Sequence, residues 1–474
     1  MSGEVQLNGK RVLVVGLART GVATALFCAA RGAVVTATDI RNAQQLGDCV
    51  EKLRASGVGV EFGDQTSEIL RRQELIVPSP GVPAEAPLLQ RGREMNIPVW
   101  SEIELAWRFL RGRLIGITGS NGKTTTTSLI EHILRNAGFP TILAGNIGTP
   151  LIAQVENTTA ETITVAEFSS FQLELTERFR PDVAVFLNLT PDHLDRHKTL
   201  DAYGAAKARI FANQTRDDFA VLNADDAASV AYAPTPSRVL WFSRKKMVIP
   251  GAYVRDGRII FAHHGEEEFI VAVSQVPLPG AHNLENVLAA VVATRLAGVR
   301  PAQMEAGIKS FTGVEHRIEF VAEINGVRYY NDSKATNVDA TLKALDSFSG
   351  RILVILGGKD KDSDYTQLRT ALREKAILAL LIGAAAEKIE RQIEGSVAVQ
   401  RSGTIENAVD RAFQSAHAGD TVLLSPACAS FDQFQNYEHR GRVFKELVHQ
   451  LEKRAPLRPG ELPTNPVNAG KRDA

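Results

Sequence analysis

The segment Thr118-Gly119-Ser120-Asn121-Gly122-Lys123-Thr124-Thr125 constrains this chain more than any other. An apolar run, residues 114–117, leads into it, and a helical pattern, residues 125–137, leads out of it. Strand, glycine-rich turn, Lys-Thr and helix is how a P-loop is built. Backbone N–H groups of the turn and the positive helix end hold phosphate oxygens, Lys123 reaches the outer phosphates, and the Thr124 hydroxyl meets Mg²⁺. The chemistry expected is that of a nucleoside triphosphate. The strict pattern wants a glycine where this chain has Ile117, with Gly116 and Gly119 to either side. A tight strand-to-helix turn with a surface lysine is the bland alternative, and the flanking strand and helix patterns argue against it.

At 474 residues the chain exceeds one ordinary core, and three domains of about 150 residues each are expected. Apolar residues at 44% and charged residues at 23% suit a globular protein. The 54 basic and 54 acidic residues cancel, which leaves no electrostatic footprint for nucleic acid, and no nucleic-acid partner is expected. Cys28, Cys49 and Cys428 are an odd, sparse set that suits a reducing compartment. No stretch reaches bilayer-spanning length and residues 1–15 carry no signal-type apolar region, so a cytoplasmic protein, without membrane insertion and monomeric, is expected.

Residues 11–15 read as a strand, followed by the turn Gly16-Leu-Ala-Arg-Thr-Gly21, a helical pattern to Ala30 and a second strand, 34–38, ending at Asp39. This is a Rossmann-like unit whose glycines are GxxxxG, so the dinucleotide fingerprint is weak; an NAD oxidoreductase rests on this unit alone. The first boundary falls after Gly112. In the middle block, strands ending in polar clusters (Glu167 to Gln172, Asn188 to His197, Asn223 to Asp226) alternate with helices, which implies an α/β domain with a mostly parallel sheet and ligands at the strand ends. Residues 237–276 read as a β insert, and 283–297 as a long amphipathic helix. Asn325-Gly326 between two alternating runs predicts a hairpin. The fold class expected is α/β in three domains: 1–112 Rossmann-like, 113–316 a P-loop mononucleotide-binding domain, and 317–474 Rossmann-like with a disordered tail over 455–474.

Glu167 and His193, at the ends of what read as neighbouring strands, are candidates for a second Mg²⁺. Lys207 lies on a helix, where a lone lysine is ordinarily solvated. The turns 332–337 and 425–434 each precede a helix and suit carboxylate binding, although capping alone explains many such turns.

With these residues in view, the chain resembles the Mur ligase family, and within it the D-glutamate-adding branch. TGSNGKTT (118–125), GNIG (145–148), EFSSFQLE (167–174), NLTPDHLDRH (188–197), HNLEN (282–286), EHRIE (315–319), NDSKATN (331–337) and SPACASFDQF (425–434) stand in family order. The family's ATP loop is of the TGxNGKTT type, which accounts for Ile117. The resemblance implies that ATP is bound by Gly119, Asn121, Gly122, Lys123, Thr124, Thr125, Asn286, Arg317 and Asp332, and that Thr124, Glu167 and His193 hold two Mg²⁺ ions. It implies a carbamylated Lys207, and Lys123, His193 and Lys207 as catalytic groups. It places UDP-N-acetylmuramoyl-L-alanine at Thr20, Asp39, Arg41, Ser79, Gly81 and Asn146, and D-glutamate at Lys334, Thr336, Lys361, Ser430, Phe431 and Tyr437. The implied reaction passes through an acyl phosphate, with His193 or a nearby carboxylate taking the amine proton and the third domain closing over the site. Departures occur at Ile40, at Phe431 and Tyr437, and in the Gly-Gly-Lys-Asp-Lys run at 357–361. Another amide ligase of the superfamily, adding L-alanine or glutamyl residues to folate, is the nearest alternative. A nucleotide-binding scaffold without turnover is a more distant one, disfavoured by the presence of Lys123, Glu167, His193 and Lys207.

Overall fold

The computed structural model describes residues 5–63, 67–233, 235–360 and 362–454. Lys361 and the 455–474 tail lie outside the described residues. The described chain falls into two compact units that divide between Thr312 and Gly313.

The first unit holds two sheets. Strands β1 (Arg11–Val15), β2 (Val34–Asp39), β3 (Gly59–Phe62) and β4 (Leu75–Pro78) form an all-parallel sheet in the order β3-β2-β1-β4. The second sheet has nine strands: β5 (Arg113–Thr118), β6 (Thr141–Gly145), β7 (Ile163–Glu167), β8 (Val183–Phe186), β9 (Phe219–Asn223), β10 (Arg238–Ser243), β11 (Gly251–Arg255), β12 (Arg258–His263) and β13 (Glu266–Ala272). Their order is β13-β12-β11-β10-β9-β8-β5-β7-β6, parallel from β6 through β11 and antiparallel beyond. Residues 237–276 are therefore the outer part of the central sheet and not a separate insert: β10 pairs with β9 along five residues.

The second unit holds β14 (Glu319–Ile324), β15 (Val327–Asn331), β16 (Ile352–Gly357), β17 (Ala376–Ile382), β18 (Val399–Gly403) and β19 (Thr421–Leu424), ordered β14-β15-β19-β16-β17-β18. The β14–β15 pair is antiparallel and turns at Asn325 and Gly326, both at positive φ, as that dipeptide requires. Strand β16 is buried at every position, which is why it reads as an unbroken apolar run: helices cover both faces of a parallel sheet.

Each sheet reverses its strand order at one place. The first winds outward from β1 and returns to β4 on the other side of β1. The second does so about β5, with β7 and β8 on its flanks, and the third about β16, with β17 and β19 on its flanks. Loops that leave such a reversal in opposite directions leave a crevice at the carboxyl ends of the strands. The sheets of the first unit share one apolar core, in which Val14, Phe27 and Ile103 belong with Ile152, Phe168 and Phe186.

Helix Glu102–Trp107 helps fasten those two sheets together. Glu104 is fully buried; its Oε2 accepts from the backbone N–H groups of Glu177, Arg178 and Phe179 at 2.8–2.9 Å, and its Oε1 from Arg108 Nε at 2.7 Å. Removing one partner of a buried, hydrogen-bonded ion pair leaves the other uncompensated. Glu104→Ala is expected to cost about 3–5 kcal/mol in chemical denaturation. A loss under about 1 kcal/mol would show that these donors are satisfied by water instead.

Candidate active site

The phosphate loop leaves β5 at the reversal of the central sheet. Ile117 is fully buried in β5, paired with Glu167 on one side and Val185 on the other, so the strand occupies the position where the strict motif has its first glycine. The turn proper starts at Gly119 (φ 149°) and ends at Gly122 (φ 83°). Gly122 is the N-cap of helix Lys123–Asn136, which has no side-chain cap, and the positive end of the helix dipole faces the loop. A Cβ on Gly122 would lie 2.2 Å from Oδ1 of Asn286, which reaches the loop from helix Ala281–Leu296. The other side of the loop is lashed to the segment beyond β8. Ser120 N donates to Asn188 O, Asn121 N to Asn188 Oδ1, and Ser120 Oγ to Thr190 O, each at 2.9 Å.

Two lysines converge on this loop. Lys123 Nζ donates to Gly119 O and Ser120 O, both at 2.9 Å. Lys207, on helix Leu200–Ala208, donates to the same Gly119 O at 2.8 Å, with its Nζ 4.4 Å from the centre of the Tyr203 ring. Lys207 is only 1% exposed, contrary to the solvated side chain expected of a lone helical lysine. Burial, followed by repulsion from Lys123, drives its amine well below the ordinary lysine pKa, against the pull of Asp192 and Glu167.

Thr124 Oγ1 donates to Glu167 Oε2 at 2.8 Å, and Asn146 Nδ2 donates to Glu167 Oε1 at 2.9 Å. Thr125 is buried in the same first turn. Glu167 and His193 do not stand on neighbouring strands: β5 lies between β7 and β8. His193 sits on the loop beyond β8 at φ 52°, half exposed, beside Asp192 and 5.0 Å from the Phe171 ring. A hydroxyl, a carboxylate and an imidazole suit a hard cation completed by phosphate and water. Among the described residues no cluster of three or more His, Cys, Asp or Glu could hold a metal by itself.

At the reversal of the first sheet, Ser79 Oγ donates to Gly16 O at 2.7 Å, and a Cβ on Gly21 would lie 1.8 Å from that carbonyl. Asp39, buried at the end of β2, accepts from Leu17 N at 2.6 Å and from Arg41 N, Nε and Nη2 at 2.8–3.0 Å. Burial alone would raise its carboxyl, but the Arg41 fork and the Leu17 N–H outweigh that and hold it at about 2. Thr20 lies in the first turn of helix Arg19–Ala30, and Gly81 on the exposed loop after β4. Arg41 borders a cavity of about 970 Å³ together with Leu17, Arg19, Phe27, Cys49 and Ile152. Asn146, grouped with these residues by sequence, is tied to Glu167. Sequence reasoning gave Arg196 no role of its own. Its guanidinium donates to Pro80 O, Val82 O and Glu174 Oε2 at 2.8–3.2 Å, binding the 79–82 loop to the His193 segment.

In the second unit, Asp332 follows β15 and is buried. It accepts from Ser425 Oγ at 2.9 Å and from Ile318 N at 3.2 Å, next to Arg317. Lys334 Nζ lies 5.8 Å from the centre of the Tyr437 ring, and Thr336 N donates to Lys334 O. Ser430 is buried and Phe431 is 67% exposed on the same loop.

A seat that draws lysines from two helices onto one phosphate loop belongs to nucleotide-dependent group transfer. Comparison with known proteins agrees. The Mur ligase MurD-like N-terminal domain matches residues 10–101, the Mur ligase middle domain 117–294, and the Mur ligase glutamate ligase domain 316–428. The chain is 53% identical over 447 residues to a UDP-N-acetylmuramoylalanine–D-glutamate ligase of Acidobacterium capsulatum, covering 94% of this chain and 97% of that one. It is 45% identical to the protein of the same name from Pelotomaculum thermopropionicum, covering 94% and 98%. Among solved structures it resembles the MurF ligase of Thermotoga maritima in complex with ADP (TM-score 0.58, 17% identity, covering 96% and 98%) and a pseudomurein peptide ligase type C of Methanothermus fervidus (TM-score 0.58, 18% identity, covering 93% and 100%). The chain belongs to the Mur ligase family.

Burial raises Asp332 to about 7, against its bonds to Ser425 and the nearby Arg317. Between the ordinary carboxylate range and that value the folded state holds a proton that the unfolded chain releases, so stability falls as pH rises through this window. Asp332→Asn removes the penalty. Its Tm relative to the unsubstituted protein is expected to rise by several °C between pH 5 and pH 8. A difference independent of pH would contradict the burial argument.

Proposed function

We propose that this protein is an ATP-dependent, ADP-forming amide ligase that joins D-glutamate to UDP-N-acetylmuramoyl-L-alanine in the cytoplasm, in peptidoglycan precursor synthesis. The substrate assignment rests on the nearly end-to-end likeness to relatives named for this reaction. One observation carries the chemistry: Lys207 is buried against the phosphate loop with its pKa strongly depressed. An uncharged amine is a poor phosphate ligand but the form that adds CO₂, which supports a carbamate there.

The substrate carboxylate attacks the γ-phosphorus, ADP leaves, and an acyl phosphate forms. This joins two anions, and catalysis is mainly positioning and charge stabilisation. Lys123 and the N-terminus of helix Lys123–Asn136 receive the phosphates, Asn286 borders them, and Arg317 and Asp332 serve the nucleotide. Thr124 would hold one Mg²⁺ and Glu167 with His193 a second, and these ions would supply positive charge against the repulsion of the two anions. Ser79, Gly81, Thr20, Asp39, Arg41 and Asn146 serve the UDP-sugar. Lys334, Thr336, Lys361, Ser430, Phe431 and Tyr437 receive the amino acid. Its uncharged amine attacks the acyl carbon, the amine proton passes to His193 or a nearby carboxylate, and the tetrahedral adduct expels phosphate.

Phosphate release should require UDP-N-acetylmuramoyl-L-alanine and D-glutamate together; release driven by L-alanine in place of D-glutamate would refute the assignment. Lys123→Ala is expected to abolish it. Lys207→Ala should lower kcat by about 100-fold or more and recover partly with a short-chain carboxylate. Unchanged activity in Lys207→Ala would remove the carbamate.

A further inference from the structure

Arg440, on helix Tyr437–Arg454, has a fully buried side chain. A buried guanidinium ordinarily faces a carboxylate, yet among the described residues Arg440 is placed in no salt bridge. Its donors go to uncharged oxygens. Nε donates to Ser333 Oγ at 3.0 Å and Nη2 to Ser333 O at 2.8 Å. Nη2 and Nη1 each reach Cys428 O at 3.2 Å, and Nη1 also reaches Ala429 O at 3.4 Å. Ser333 Oγ in turn donates to Tyr437 O at 2.8 Å. Burial lowers the guanidinium to about 10, which leaves it charged at neutral pH.

The location is the strand-order reversal of the third sheet. Ser333 lies just beyond β15, and Cys428 and Ala429 just beyond β19. At Gly358, just beyond β16, a Cβ would stand 3.2 Å from Arg440 Nη1 and 2.3 Å from Ala429 O. One rigid fork thus spans two loops. Lys334 and Thr336 follow directly on one, Ser430 and Phe431 on the other. A planar guanidinium holds several acceptors at set directions, whereas a lysine ammonium is a single point charge on a flexible stem.

We infer that Arg440 is a positioning residue for the incoming amino acid: it sets the spacing between the 333–336 and 428–431 loops, and so the affinity for that substrate, without touching it. This rests on the ligase reading above. A purely structural arginine would, when replaced, depress stability and weaken all three substrates alike. A clamp between these loops acts on one substrate.

The test uses the full chain with Arg440→Lys and Arg440→Ala. Arg440→Lys is expected to raise KM for D-glutamate by about 10-fold or more, with KM for ATP and for the UDP-sugar changed less than about 2-fold. Free guanidinium ion should lower the D-glutamate KM of Arg440→Ala several-fold and leave the unsubstituted enzyme unaffected. Amide exchange of both loops should quicken together in Arg440→Lys. An unchanged D-glutamate KM in Arg440→Lys, or losses spread equally over the three substrates, would overturn the inference. If Arg440→Ala does not fold, Arg440→Lys decides alone. If another amino acid drives turnover of the unsubstituted enzyme, the D-glutamate assignment fails, and the KM of that amino acid decides the clamp.

Discussion

The structure depends on one carbonyl oxygen, that of Gly119, onto which Lys123 and Lys207 both fold. Two ammonium groups sharing an acceptor repel each other, and burial makes the repulsion count. Lys123 opens a helix that lacks a side-chain cap, and its ammonium is held by the carbonyls of Gly119 and Ser120. Lys207 is buried behind it, and burial together with that repulsion drives its amine well below the ordinary lysine pKa. The loop stays open between them because Gly119 and Gly122 adopt conformations closed to residues with a Cβ, and because the Asn188 backbone and side chain hold its outer edge.

The same plan recurs in each sheet. At Gly16, at Gly119 and at Gly358, a glycine just beyond a reversal strand permits close packing: an added Cβ would stand 3.0 Å from Val82 Cγ2, 3.0 Å from Leu187 Cβ and 2.3 Å from Ala429 O, respectively. Ser79 closes on the first, Asn188 on the second, and Arg440 with Ala429 on the third. Three domains thus present three prepared crevices, and a ligase that handles a nucleotide-sugar, ATP and an amino acid has use for all three.

Much of this was legible in the sequence. Glycines at strand ends, the alternation of apolar runs with helical periods and the Asn325-Gly326 turn are local signals, and each led to the right element. Ile117, which looked like a defect in the phosphate motif, is a buried strand residue between two partners. Strand order was not legible: periodicity says nothing about neighbours, so Glu167 and His193 were placed on adjacent strands although β5 separates them. Residues 237–276 read as an insert because short strands carry no mark of the sheet they extend. Burial of single polar groups was also hidden. Lys207 lies 88 residues from Gly119, and no local pattern indicates that its ammonium leaves water. Arg440 sits in a charged, helical stretch that reads as solvated, and its acceptors are backbone carbonyls, which have no sequence signature at all.

In the proposed reaction the loop at Gly119 serves the transfer of a phosphoryl group to a carboxylate and not to water. Isotope tracing tests this directly. With ¹⁸O in the carboxylate of UDP-N-acetylmuramoyl-L-alanine, an acyl phosphate leaves one labelled oxygen in each phosphate released during D-glutamate-dependent turnover. Phosphate that carries no label, taking its new oxygen from solvent, would contradict the account.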